Sequence, residues 1–252
     1  MKTETTAGMN RTGMDMSPMD SKEVVVGARI MPPSSVGDDS AIANVVAHYA
    51  RREERVGTMP PPGTLKGAVK SALQALKGEA PLVLLDKLGE RLAFERAGSR
   101  LWKGVLAKFD ALGSFEGGPT RAEIEQIYRE EAEHFLLVAS VIRMLGADPT
   151  AETPLADVHG VASCGLIKVV TDPRTNLADA LEAMLIAELT DNDAWDVLID
   201  MGQGLSDQEV LSRFQAARAA EARHLTMVRS WVKASVFARA QGDNALSGRT
   251  TS

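Results

Sequence analysis

The chain has little cysteine and no long apolar run. Cys164 is the single cysteine, which excludes an internal disulfide, a zinc knuckle of paired cysteines and an iron centre held by cysteines of this chain alone. No segment reaches the roughly 18 consecutive apolar residues that a membrane-spanning helix needs, and the first residues lack the apolar stretch of a signal peptide. We therefore expect a soluble, cytoplasmic protein with no membrane partner.

An excess of positive charge is also absent. The 252 residues include 34 acidic and 28 basic side chains, for a formal net charge of -6. This balance provides no broad basic surface, so we do not expect a nucleic-acid partner. Aromatic residues make up only 4% of the chain, whereas Ala, Leu, Glu and Arg are abundant. This composition indicates a mainly helical protein.

The sequence divides into three parts. Residues 1–80 begin with a stretch of no sustained periodicity, and we predict an N-terminal extension that is partly disordered, with short helices at about 41–55 and 64–77. Residues 81–241 have strong helical periodicity and form the main domain. Residues 242–252 form a flexible tail.

Four helices are predicted in the main domain because apolar side chains recur there at steps of three and four residues. The inward-facing rows, here called seams, begin at Leu85, Ile124, Leu181 and Phe214. Thr120 and Glu123 form a capping box before the second helix, which ends at Gly146. Ser206 and Glu209 form another capping box before the fourth helix. We therefore predict an all-α four-helix bundle.

A connection of about thirty residues, 147–176, separates the second and third helices. It contains at most one short helix, near 157–170. Such a length is expected where the chain crosses from one end of a bundle to the other. His159 and Cys164 lie on this connection and His48 lies on the extension; we interpret all three as packing or surface residues.

Six side chains of metal-binding type interrupt the apolar seams. Glu131 precedes His134 by three residues and Glu221 precedes His224 by the same step, so each pair lies on one face of a helix. The first and third seams contribute one glutamate each. The six candidate ligands are Glu95, Glu131, His134, Glu188, Glu221 and His224. Two of the four histidines in the chain thus occupy the same pattern.

The two helix pairs also repeat one another. Glu95 is followed after seven residues by Trp102, and Glu188 is followed at the same spacing by Trp195. The Glu-x-x-His stretches of the second and fourth helices match in the same register. This duplication predicts an approximate twofold axis between two half-sites.

Residues around the candidate ligands receive other roles. Glu130, Glu133 and Glu182 fall off the seams, and we predict that they point elsewhere and bind no metal. Trp102 and Trp195 are interpreted as core fillers beside the site.

Three polar residues near the seams have two readings each. Ser99 and Asn192 follow the seam glutamates by one turn. Either they form hydrogen bonds to the ligands, or they are polar residues tolerated in a bundle whose interior contains water. Tyr128 either donates to a carboxylate or quenches a radical, or packs at the boundary of the core.

The negative charge of the four glutamates predicts that the six residues bind cations. Four carboxylates in an apolar interior repel one another and lose hydration, so they need cations or protons. Two divalent ions neutralise them. An oxygen-rich set with one imidazole for each ion favours Fe or Mn over structural zinc, which prefers Cys and His.

These residues resemble those of the ferritin-like superfamily, near the rubrerythrins, bacterioferritins and manganese catalases. The resemblance covers about 82–233, and the stretches 88–96 and 185–192 are similar to bacterial ferritin-like proteins. It implies a ferritin-like bundle with one long crossover. It further implies that Glu131 and Glu221 bridge two Fe or Mn ions, while Glu95 with His134 and Glu188 with His224 complete one ion each. Open positions would receive dioxygen or peroxide.

Departures from the family leave the reaction open. A single cysteine excludes a rubredoxin module, so we expect electrons from a separate protein or from the substrate. The leading hypothesis is an oxidoreductase, with manganese-catalase activity as a special case. The alternatives are a storage protein that assembles through its N-terminal arm and an adaptor that keeps metal only for stability. In each case we expect a homo-oligomer.

Overall fold

The computed structural model describes residues 18–32, 40–52, 81–203 and 208–241, and within these ranges the regular structure is entirely α-helical. The helices are α1 (Pro18–Ile30), α2 (Ser40–Ala50), α3 (Pro81–Leu112), α4 (Arg121–Met144), α5 (Pro154–Thr171), α6 (Leu177–Gly202) and α7 (Gln208–Ala240). The prediction of an all-α protein is confirmed. None of the described helices combines the length and apolar character needed to cross a membrane.

The chain divides into two compact units, residues 1–54 and 55–252. In the first unit α2 overlaps the predicted helix at 41–55, and His48 is exposed on it beside the ring of Tyr49. Helix α1 was not predicted, because its three adjacent valines obscure any helical period.

Several predictions fall on residues outside the described ranges. They are the helix at 64–77, Ser206 of the predicted capping box with Glu209, and the tail at 242–252.

Four long helices of the second unit, α3, α4, α6 and α7, enclose two apolar clusters with a polar layer between them. One cluster is built around Leu88, Val138, Trp195 and Phe214, and the other around Trp102, Ile127, Leu181 and Trp231. Helices α3 and α7 run from the first cluster to the second, and α4 and α6 run the opposite way. Each helix therefore passes through the polar layer near its middle.

These directions explain the long connection. Helix α4 ends beside the first cluster whereas α6 begins beside the second, so the chain must travel the length of the core between them. Helix α5 makes this crossing along α3. The backbone N–H of Leu155 donates to Asp86 near the start of α3, and Lys108 near the end of α3 donates to the carbonyls of Asp172 and Thr175.

The ends of α4 follow the local sequence as predicted. Thr120 accepts a hydrogen bond from the backbone of Glu123, and the Glu123 side chain accepts one from the backbone of Thr120. At the other end Gly146 has a φ of 85°, a left-handed conformation that favours glycine. The N–H of Ala147 then donates to the carbonyl of Ile142 and ends the helix.

Candidate metal centre

All six predicted ligands lie together in the polar layer. Ligand atoms of Glu131, Glu188, Glu221 and His224 are within 4.8 Å of one another, and so are those of Glu95, His134 and Glu221. We call Glu95 with His134 the first half-site and Glu188 with His224 the second half-site. Glu221 belongs to both groups, as expected of a ligand shared between two ions. These buried groups are able to hold a metal ion.

The two histidines face the carboxylates through Nδ1. His134 Nδ1 lies 2.6 Å from Glu221 Oε1 and 3.8 Å from Glu95 Oε2. His224 Nδ1 lies 3.1 Å from Glu221 Oε2 and 3.7 Å from Glu131 Oε1. Glu221 thus places one oxygen toward each imidazole, and the two rings are 6.2 Å apart.

Several of these ligand atoms are buried without a hydrogen-bond partner in the described part of the chain. They are both oxygens of Glu95, Oε2 of Glu131, Nδ1 of His134, Oε2 of Glu188 and Oε1 of Glu221. His134 and Glu221 approach closely, yet they are not aligned for a hydrogen bond. Buried polar atoms that lack a hydrogen bond are costly in a core. Their lone pairs would be satisfied by a cation shared among them.

The same layer contains a buried ion pair that was not predicted from the sequence. Arg91 Nε lies 2.9 Å from Glu95 Oε1, and Arg91 Nη2 lies 2.5 Å from Asp191 Oδ1. Asp191 also forms a candidate metal group with Glu95, Glu131 and Glu221. The step of four residues from Arg91 to Glu95 was a visible signal for this ion pair. Asp191 stands three residues after Glu188, on the same face of α6.

Glu130 corrects one of the predictions. It does not point away from the site: its Oε2 lies 2.6 Å from Nε2 of His224, and its Oε1 accepts a hydrogen bond from Arg223. Because Glu130 holds a proton on Nε2 of His224, Nδ1 is the nitrogen that would release its proton and bind a metal. Glu130 is therefore an orienting partner of a candidate ligand.

The two tryptophans differ in their roles. The indole N–H of Trp102 donates to Oε1 of Glu188 at 3.2 Å, so Trp102 fixes a candidate ligand as well as filling the core. The indole nitrogen of Trp195 has no hydrogen-bond partner in the described part of the chain. Its ring packs edge-on against His134 and Phe214, each at 5.6 Å between ring centres.

Of the three polar candidates around the ligands, Asn192 is in direct contact with their backbones. Its side-chain N–H groups donate to the carbonyls of Glu188 and Glu221, and so join α6 to α7 at the site. Ser99 donates to the carbonyl of Arg96 in its own helix. Tyr128 packs against the apolar cluster around Trp102.

The remaining candidates lie away from the site. Glu133 is exposed, and Glu182 is half exposed with an oxygen 3.6 Å from Arg239. His159 lies 3.3 Å from Glu90. Cys164 is exposed on α5.

A glycine makes room for one of the shared carboxylates. Gly98 lies three residues after Glu95 in α3, and a β-carbon there would overlap Oε2 of Glu131. A glycine within a long helix has an entropic cost. Its presence in α3 is explained by the close approach of this carboxylate.

Comparisons with protein-family models, curated proteins and solved structures yield no match for this chain. The chemistry of the site is therefore inferred from its own residues.

Burial and mutual repulsion determine the protonation of the metal-free site. Burial raises the pKa of Glu95, Glu188 and Asp191 well above the usual range, and neighbouring carboxylates raise it further. Burial by itself lowers the pKa of His224, but the neighbouring carboxylates of Glu131 and Glu221 outweigh it and raise the pKa to about 12. Without metal the layer therefore retains protons.

The pKa of Glu221 is shifted in the opposite direction. Burial favours its neutral form, but the imidazoles of His134 and His224 outweigh burial and hold the pKa well below the usual range. Glu221 is therefore a carboxylate that stays ionised in the metal-free protein, between two histidines that contact its two oxygens.

We expect metal binding to strengthen as pH rises. Groups with a raised pKa bind more protons in the folded than in the unfolded chain, so their stabilisation of the metal-free protein is lost as pH rises through their pKa values. Glu221 has a lowered pKa, so its stabilisation of the metal-free protein is instead lost as pH falls through that pKa. Because a metal ion replaces these protons, the rise in Tm caused by excess Mn²⁺ should be larger at about pH 8 than at about pH 5.5.

This pH dependence is checked by thermal melts of metal-free and Mn²⁺-loaded protein at both pH values. A Glu182→Gln variant is the control and should behave as wild type, because Glu182 lies on the surface near Arg239. A stabilisation by metal that is constant or larger at the lower pH would contradict the expectation.

Glu130→Gln should weaken metal binding about 10- to 100-fold, the usual effect of losing the partner that orients a histidine ligand. The amide keeps the shape of Glu130 but removes the charge that holds the Nε2 proton of His224. The matched control is Glu133→Gln on the exposed face of the same helix. Competition against a calcium-insensitive metal indicator measures both variants, and equal affinities would show that Glu130 does not support His224.

Proposed function

We propose that this chain is a dinuclear iron or manganese carboxylate protein that reacts with dioxygen or peroxide, built on a ferritin-like four-helix bundle with one long crossover. The observation that carries the proposal is the set of buried ligand atoms, several of them without a hydrogen bond in the described part of the chain, that four helices bring together between two apolar clusters.

The donor set supports iron or manganese. It supplies carboxylate oxygens and two imidazole nitrogens, with no thiolate ligand. Hard, oxygen-rich ligands with a few imidazoles suit Fe and Mn, whereas closed structural zinc sites prefer Cys and His. The residues present therefore fit these metals.

The charge of the layer supports two divalent ions. When ionised, the five carboxylates Glu95, Glu131, Glu188, Asp191 and Glu221 exceed the single guanidinium of Arg91 by four negative charges. Two ions of charge +2 would neutralise this excess, which burial otherwise opposes.

The chain supplies position, orientation and exclusion of water. Glu131 and Glu221 would be shared between the ions, Glu95 with His134 would hold one, and Glu188 with His224 the other. Bound iron or manganese would supply the electrons that reduce the oxidant. Glu130 holds the Nε2 proton of His224, Trp102 fixes Glu188 through its N–H, and Asn192 joins the backbones that carry Glu188 and Glu221. Apolar clusters on both sides keep the layer dry.

The proposal is tested by metal analysis and oxidant consumption. Protein produced with added iron or manganese is analysed for metal content, and its consumption of dioxygen and of peroxide is measured. We expect about two ions for each chain and consumption of at least one oxidant by wild type and by Glu182→Gln. Oxygen release from peroxide with Mn bound would identify catalase chemistry. Protein that takes up only zinc, or no metal, and is inert to both oxidants would refute the proposal.

A further inference from the structure

The two halves of the site differ at positions that the repeat makes equivalent. Arg91 lies one turn before Glu95, and the corresponding residue before Glu188 is Met184. Asp191 lies three residues after Glu188, and the corresponding residue after Glu95 is Gly98. The site therefore contains one cation and one additional carboxylate that break its approximate symmetry.

The cation faces the first half-site. Arg91 is 2% exposed and its Nε lies 2.9 Å from Oε1 of Glu95, which is fully buried. A guanidinium remains charged in proteins. Glu95 thus already has a positive partner before any metal ion arrives.

The second half-site is arranged to favour a metal ion. The partner of Glu188 from outside the ligand set is neutral, the indole N–H of Trp102. The imidazole of His224, 3.9 Å from its Oε2, is itself a ligand of this half-site. His224 has the carboxylate of Glu130 on its far nitrogen, whereas the residue equivalent to Glu130 beside His134 is Ala220. A carboxylate behind a histidine makes the histidine a stronger ligand.

We propose that the two metal positions are inequivalent: an ion at Glu188 and His224, held also by Glu131 and Glu221, binds first, and an ion at Glu95 and His134 binds more weakly because it competes with Arg91. This inference rests on the proposed function. At limiting metal the protein is then a mononuclear species filled at the second half-site.

Asp191 explains how the weaker position can fill at all. It lies 2.5 Å from Nη2 of Arg91, a different nitrogen from the Nε that faces Glu95. When Glu95 turns to an ion, Arg91 keeps a buried counter-charge in Asp191. Without that partner, the second ion would leave a buried cation unpaired, which is strongly unfavourable.

The order of filling is tested by titrating metal-free, full-length protein with Mn²⁺. Equilibrium dialysis gives the two Kd values, and electron paramagnetic resonance distinguishes an isolated ion from a spin-coupled pair. Wild type should show an isolated ion first and a coupled pair later, with Kd values that differ roughly tenfold or more. Glu95→Gln should remove only the weak event, and Glu188→Gln should remove the tight one.

The role of Arg91 is tested by the double substitution Arg91→Met with Asp191→Asn. It introduces the methionine that the repeat has at the equivalent position and leaves the net charge unchanged. The two Kd values should then converge to within about threefold. Arg91→Lys keeps a positive charge and should preserve the gap. If the double variant does not fold, as judged by circular dichroism, the Glu95→Gln and Glu188→Gln pair decides the order.

Three results would overturn this inference while leaving the proposed function intact. They are equal Kd values in wild type, equal losses in Glu95→Gln and Glu188→Gln, and an unchanged gap in a folded double variant. Wild-type protein that binds neither Mn²⁺ nor Fe²⁺ would instead refute the proposed function itself, and this inference with it.

Discussion

Replacing Glu221 with alanine should abolish metal binding at both positions, weakening it by more than about 100-fold. Glu221 belongs to every candidate metal group of the described residues, and its two oxygens face His134 and His224. No neighbouring carboxylate can replace it in both contacts. Loss of this one side chain would therefore affect both proposed metal positions.

The measurement is metal content after reconstitution with iron or manganese and removal of excess ions. Glu182→Gln is the matched control on the neighbouring helix, because it removes a surface carboxylate near Arg239. Glu221→Gln distinguishes charge from volume, since the amide fills the same space. A Glu221→Ala protein that is folded and retains full metal content would show that the ions bind elsewhere.

Gly98→Ala should also eliminate binding, although it adds only a methyl group. The added β-carbon would overlap Oε2 of Glu131, one of the unpaired buried atoms. Glu131 would have to move, and an affinity loss on the order of 100-fold is expected because ligand geometry must hold within a fraction of an ångström. Gly160→Ala is the control, because nothing lies within 4 Å of its new β-carbon.

Helix propensity makes the comparison of the two glycines sharper. Gly160→Ala should stabilise the exposed helix α5 by up to about 1 kcal/mol and leave metal content unchanged. Gly98→Ala receives the same intrinsic benefit in α3 but loses the metal. Thermal melts with and without Mn²⁺ separate the two effects. Normal metal binding by Gly98→Ala would mean that the Glu131 carboxylate has another position open to it.

The local sequence pattern was sufficient to predict most of the long helices. The period of the apolar residues placed the four long helices, and capping chemistry at Thr120 and Gly146 placed the ends of α4. Both signals depend only on residues within one or two turns. Helix α1 was not predicted because it lacks such a local signal: it is short, and its adjacent valines give no clear helical period.

The candidate ligands were predictable because each occupies an apolar seam in its own helix. A helix places residues three and four apart on one face wherever it lies in the protein. The repeat then related Glu95 to Glu188, and the structure brings both into the same layer as the histidines.

The partners of the ligands were not predictable in this way. Glu130 falls off its own seam and was set aside, yet it meets His224 across 94 residues of sequence. Trp102 reaches Glu188 across a similar separation. Such contacts depend on which helices are neighbours and on their rotation about their axes, which no single helix determines.

By itself, the sequence determined which side chains face the core, because helical periodicity is a local property of the chain. Tertiary structure decided which of those side chains meet. It placed Arg91 against Glu95 and Asp191, and Glu130 behind His224. The repeat predicts two equal half-sites, but Arg91, Asp191 and Glu130 have Met184, Gly98 and Ala220 at the equivalent positions. Only the packing of the helices brings Asp191 to Arg91 and Glu130 to His224, because these contacts join residues far apart in sequence.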